Sequence, residues 1–234
     1  MEHESSILYA PVNGLWQAIG MPGQIPDHVI MALLVLMISA ILFPLATRNL
    51  SKENPGYFQQ LLEYVVSGLK GLLEEIVGHG GAERFINVIA GYAVFIFIGN
   101  LFGLFFFLQP PTANVNTTFA LSISAFLYYN ILGIRKHGLF GYLKHFMGPL
   151  LWLAPLMFLI EMIGNFARVL SLGMRLFGNI FGEHTATGIF FGFFPLGLPW
   201  PMMALGLFGA ILQTFVFIML LMVYIGGAVS AEEH

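Results

Sequence analysis

Four ionisable side chains, Glu161, Arg168, Arg175 and Glu183, stand inside one long apolar stretch, with Asn165, Asn179 and His184 beside them. Inside a bilayer an ionised group costs at least about 2.5–3.5 kcal/mol even on insertion scales, so each has to face protein or water. Glu161, Arg168 and Arg175 recur every seven residues and share one helix face with slow drift. Asn179 and Gly182 continue near that face. Gly164, Ser171 and Gly178 form a second series at the same interval, and such small residues let another helix come close in a membrane. The pattern predicts a long helix whose polar seam is pressed against neighbouring helices.

Two kinds of account fit these residues. In one they move an ion or bind a substrate. In the other, Glu161 with Arg168, and Arg175 with Glu183, are ion pairs that only fix packing. Asn100, Gln213 and Thr214, on other apolar stretches, have the types of interhelical hydrogen bonders, and His184 alone says little about proton transfer. No His/Asp/Glu set has metal-ligand spacing, and without cysteine there is neither a thiolate site nor a disulfide framework. Gly91, Gly99 and Gly103 fall within an apolar stretch, where they serve packing rather than a phosphate loop. No metal, cofactor or catalytic residue is expected.

The elements that carry these residues are membrane spans. Of 234 residues 58% are hydrophobic and 9% charged, with a mean hydropathy of +0.83, too little charge to cover a soluble domain. Nine basic residues and a net charge of −3 argue against a nucleic-acid partner. Met1 to Ala10 lacks the basic start of a secretory signal, so the apolar stretches are expected to remain in the mature chain. A span needs about 20 apolar residues. After an N-terminal segment, 1–26, the stretches 27–46, 85–108, 117–134, 149–194 and 202–229 meet that need, and together they read as a single membrane domain over 1–234. The fourth is about twice the length of an upright span and has to tilt strongly, run partly outside the core or fold back on itself. Pro195, Pro199 and Pro201 close it, and Gln109-Pro110-Pro111-Thr112 marks the turn before the third.

Tyr57 to Val77 differs from the spans. Phe58, Leu61, Leu62, Val65, Val66, Leu69, Leu72 and Leu73 repeat at helical spacing, with Gln59, Glu63, Lys70, Glu74 and Glu75 between them. This predicts an amphipathic helix at the interface or against a partner, and Leu139 to Met147 a shorter one. Arg48, Lys52, Lys70, Arg84, Arg135, Lys136 and Lys144 all fall on one side of five spans. The N-terminus is therefore expected outside and the C-terminus in the cytoplasm. The fold class is all-α integral membrane: five transmembrane helices plus an amphipathic interfacial helix.

The run Ser171-Leu172-Gly173-Met174-Arg175-Leu176-Phe177-Gly178-Asn179 resembles the signature of the a subunit of F-type ATP synthases. Thr112-Ala113-Asn114-Val115-Asn116 is similar to a family loop, and Glu161, fourteen residues before the arginine, matches an acidic family position. Gln213 with Phe215-Val216-Phe217 and Tyr224 looks like the family's last helix, and Glu232-Glu233-His234 like the ending of many bacterial members. The resemblance covers the chain from about Tyr57 onward.

The resemblance implies a stator that carries protons, or sodium ions, past a ring of c subunits, in a bacterial inner membrane and with no ATP chemistry of its own. It implies two long tilted C-terminal helices facing the c-ring, a b-subunit peripheral stalk and surrounding lipid. Arg175 would face the ring, Asn179, Glu183, His184 and Gln213 would line the half-channel to the outside, and Glu161 with Ser171 the path to the cytoplasm. Three positions depart from the family pattern. The carboxylate that many relatives place nine residues after the arginine is here one residue earlier, as Glu183 before His184. Gly206, seven residues before Gln213, and Gly103, three after Asn100, stand where some relatives have titratable groups. A self-contained secondary transporter would use the polar seam as a substrate site, but that class often shows inverted repeats, and none is visible here. A purely structural membrane subunit is the third reading.

Overall fold

A computed structural model describes residues 6–20, 22–48, 50–51, 55–78, 80–105, 108–147, 153–193 and 199–229. They form α1 (Tyr9–Ala18), α2 (Asp27–Thr47), α3 (Tyr57–Val77), α4 (Gly81–Leu101), α5 (Val115–Met147), α6 (Ala154–Phe193) and α7 (Pro199–Val229). Short 3-10 turns lie at Phe102–Leu104 and Pro111–Ala113. Five helices are long and apolar enough to cross a membrane: Asp27–Leu45, Gly81–Leu104, Val115–Tyr142, Ala154–Phe193 and Trp200–Val229. The all-helical, five-span architecture expected from the sequence is what the chain adopts. Lys52, residues 195–198 of the proline connection and the ending Glu232-Glu233-His234 lie outside the described residues.

α3 occupies the expected amphipathic segment, burying Leu69 and Leu73 against α4 and α7 while Lys70 and Glu74 stay exposed. It ends at Gly78, whose φ of +93° is open to glycine without strain. In α5 the backbone breaks at Gly138, with φ +72°, separating the third span from the short helix expected after it. The break folds Tyr142 onto Gly133, where its hydroxyl donates to Asn130 Oδ1 at 2.9 Å. The core lies where α4, α5, α6 and α7 meet α3, with Ile89, Ile96, Leu176, Leu221, Met222 and Ile225 almost fully buried. α2 packs beside it, with Ile30, Met31 and Val35 against Phe102 of the first 3-10 turn.

The two ends of the bundle differ in chemistry. At one end Lys136 Nζ donates to the Val229 carbonyl at 2.6 Å, placing a cation on the C-terminal carbonyls of α7. The Ile76 carbonyl oxygen of α3 lies 2.9 Å from where a side chain at Gly226 would begin, so α3 ends against α7 at the same end. At the other end, α1 and α2 form a clasp. Asp27 accepts hydrogen bonds from the Ser6 backbone and hydroxyl at 2.9 and 2.6 Å. Asn13 exchanges two more with the backbone of Ile25, at 3.1 and 2.7 Å. α1 is an element that the sequence pattern left unassigned within residues 1–26.

α6 is a continuous helix of 40 residues. At about 1.5 Å per residue it is roughly 60 Å long, about twice a hydrocarbon core of about 30 Å. A continuous helix over 154–193 does not fold back on itself, which leaves tilting or running partly outside the core.

Candidate functional site

Arg175 lies midway along α6, between residues that pack inward. Leu172, Gly173 and Leu176 are buried, which turns Ser171, Met174, Arg175, Gly178 and Asn179 to the exposed side of the helix. The guanidinium Nη2 approaches Ser171 Oγ at 3.4 Å, one helical turn away. Arg175 also lines a small hollow with Gln213, Leu172, Leu176, Val216 and Phe217, so α6 and α7 bring the arginine and the glutamine together. Close approach of α6 to α5 occurs at Gly173, where a side chain would begin 2.9 Å from Ser122 Oγ.

The small-residue stripe is left open by the described residues of this chain. Gly164, Gly178 and Gly182 have open space where a side chain would begin. Ser171, Arg175, Gly178, Asn179 and Gly182 are exposed among the described residues, with Arg175 at the edge of the hollow it shares with Gln213. Glycine spacing showed that something can approach α6, but could not say whether it comes from the same chain.

Glu183 and His184 follow about two turns after Arg175, both half-buried. Eight residues at about 1.5 Å each put Glu183 some 12 Å along α6 from the arginine. Its carboxylate reaches across to α7 and rests on the backbone of Gly206 and Gly209. A methyl group at Gly206 would fall on Oε1, and one at Gly209 would begin 2.9 Å from Oε2. Gly206 is thus the residue whose missing side chain leaves room for the Glu183 carboxylate. No Arg175–Glu183 ion pair forms among the described residues, since they stand two turns apart on the helix. Asn100 is buried, and its Oδ1 accepts from Thr112 Oγ1 at 2.7 Å, joining α4 to the Pro111–Ala113 turn. Thr214 bonds within its own helix, to the Ala210 carbonyl at 2.7 Å, instead of across helices.

Glu161 lies on the other side of Arg175, fourteen residues or about 21 Å along the helix. It pairs with Arg168 at 3.2 Å, the contact that the packing account expected. Around this pair Asn165 is buried, accepting from the Tyr129 hydroxyl of α5 at 3.1 Å and donating to the Glu161 carbonyl at 3.1 Å. The Arg168 guanidinium lies 5.5 Å from the ring centre of Tyr224 on α7. Tyr129 was not picked out from the sequence, where a tyrosine in an apolar run has no distinguishing period. Gly209 was missed as well, although its spacing of three from Gly206 places both on one face of the last span.

The model of the family described as ATP synthase A chain matches residues 29–226 of this chain. Among curated proteins, ATP synthase subunit a of Geotalea uraniireducens is 44% identical over 208 residues, 89% of each chain. ATP synthase subunit a of Geobacter sulfurreducens is 44% identical over the same share of both chains. That of Trichlorobacter lovleyi is 46% identical over 200 residues, 86% of this chain and 85% of the relative.

Proposed function

Because the chain belongs to the ATP synthase A chain family, we propose that it is the ion-translocating a subunit of an F-type ATP synthase, without catalysis of its own. The observation that carries this reading is an arginine on the exposed face of a membrane-spanning helix. A guanidinium left against lipid is costly, so that face requires a partner with a complementary negative charge. A rotating ring of c subunits with one carboxyl per subunit supplies it, while lipid and a b-subunit peripheral stalk cover other faces.

Arg175 stays protonated at any working pH and acts as a fixed positive charge. As a ring carboxyl arrives, the charge favours its ionised form, so the proton leaves toward the exit path. The same charge repels a cation that would cross without turning the ring. Asn179, Glu183, His184 and Gln213 line the half-channel to the outside, with Glu183 held in the glycine seat of α7. Glu161 and Ser171 line the half-channel to the cytoplasm. The two are offset along the inclined α6 on either side of Arg175, so an ion passes between them only on the ring. The transported ion is the proton. The basic end faces the cytoplasm of a bacterium, in whose inner membrane the protein sits.

The absence of native cysteine makes a direct test clean. Cysteines placed at Ser171, Met174 or Gly178 are expected to form disulfides with cysteines on the outer helix of the ring. Cysteines at buried Leu172 and Leu176 are not. Ring cross-links from the buried positions alone would overturn the assignment of this face.

A further inference from the structure

We propose that Arg168, a residue outside the ion path described above, is a positioning residue that holds Glu161 in its working orientation. The inference rests on the reading of Glu161 as part of the path to the cytoplasm. The Arg168 guanidinium is held by side chains of its own helix and of α7. Nη2 donates to Glu161 Oε1 at 3.2 Å, Nη1 approaches Asn165 Oδ1 at 3.4 Å, and the Tyr224 ring of α7 lies 5.5 Å away. Asn165 Oδ1 is itself fixed by the Tyr129 hydroxyl of α5 at 3.1 Å. The rings of Tyr129 and Tyr224 meet at 5.6 Å, closing the cluster across α5, α6 and α7.

The arrangement exceeds what an ion pair needs for stability. Both side chains are over a third exposed, 39% for Arg168 and 38% for Glu161, and such a pair contributes little. What the cluster supplies is orientation. A planar guanidinium presents its edge to carboxylate and amide oxygens and its face to an aromatic ring. Glu161 is thereby held through Oε1, which leaves Oε2 turned to other partners, where a water of the exit path can bond. A lysine keeps the charge but cannot bond Glu161 and Asn165 in one plane while lying against Tyr224.

The test is a double-mutant cycle in vesicles containing the whole ATP synthase, with ATP-driven proton uptake followed by a pH-sensitive dye and expressed per assembled complex. Arg168→Gln and Glu161→Gln are each expected to slow pumping about tenfold, the scale of one charge-assisted hydrogen bond. The double variant is expected to be no slower than Glu161→Gln alone, because both changes remove the same function. Arg168→Lys is expected to recover about half of the rate, since the charge on Glu161 remains while the fork is lost. It replaces Arg168→Gln in the cycle if the glutamine variant fails to assemble. Losses that multiply, to about a hundredfold in the double variant, overturn the positioning role, because the two residues then act separately. So does normal pumping by the Arg168 variants while Glu161→Gln is slow. Normal pumping by Glu161→Gln overturns the reading of Glu161 itself, and with it the role of Arg168.

Discussion

Replacing Gly206 by alanine separates the role of Glu183 from the packing of the helix that carries it. The added methyl would lie on Glu183 Oε1, 2.9 Å from its Cδ and 3.2 Å from Leu104 Cδ2. The obstacle is the far end of a flexible side chain, so the carboxylate swings aside and the backbone stays. An off-rotamer side chain costs about 0.5–1.5 kcal/mol, and mild overpacking about the same. The complex should therefore assemble with about 1 kcal/mol less stability. The carboxylate, however, moves by about 1 Å or more, a shift that slows a step dependent on its position at least about tenfold. Gly226→Ala is the contrasting case. Its methyl would begin 2.9 Å from the backbone oxygen of Ile76 and 3.1 Å from Ile76 Cγ2, and a backbone carbonyl cannot rotate away. Here α3 is displaced and assembly falls by about 1–3 kcal/mol, whereas pumping per assembled complex holds. The assay is the amount of complex in detergent extracts, set beside ATP-driven pumping in vesicles. Gly206→Ala complexes that assemble and pump at the unmodified rate would refute the seat of Glu183 as part of the path.

Two other substitutions probe the scaffold. Thr112→Val removes the donor to buried Asn100 Oδ1 and is expected to lower stability by about 1–3 kcal/mol, read as a lower thermal midpoint of the purified complex. Thr112→Ser keeps the hydroxyl and is expected to recover most of that loss. Lys136→Met removes the cation from the C-terminus of α7 and is expected to cost about 0.3–1 kcal/mol, a small drop in the same midpoint, with pumping unchanged.

The long elements were legible because their signals are local and repeated. Apolar runs gave the five spans, and the interleaving of Leu69 and Leu73 with Lys70 and Glu74 gave α3 residue for residue. Gly138 could be suspected only as a gap between two patterns, since a positive φ leaves no period behind it. The site was legible in part. Arg175 stood out because a charge in an apolar run needs a reason, and the signature around it added a second. Its meeting with Gln213 depends on how α6 and α7 cross, which neither sequence period encodes. The seat of Glu183 was invisible for a related reason. Glycine has no side chain to signal with, and Gly206 looked like the loss of a titratable group rather than the space made for one. The seven-residue series Glu161, Arg168 and Arg175 looked uniform in sequence, yet its two halves have different surroundings. α5 and α7 gather around Glu161 and Arg168, while Arg175 stays exposed and only borders a small hollow with Gln213.

Arg175→Ala is the most direct measurement, made as ATP-driven pumping and passive proton leak in vesicles containing the assembled complex. Loss of pumping with assembly intact is the expected result, because a neutral side chain can neither draw the proton from a ring carboxyl nor keep the two half-channels apart. Pumping near the unmodified rate would contradict the central claim and leave Arg175 a packing residue.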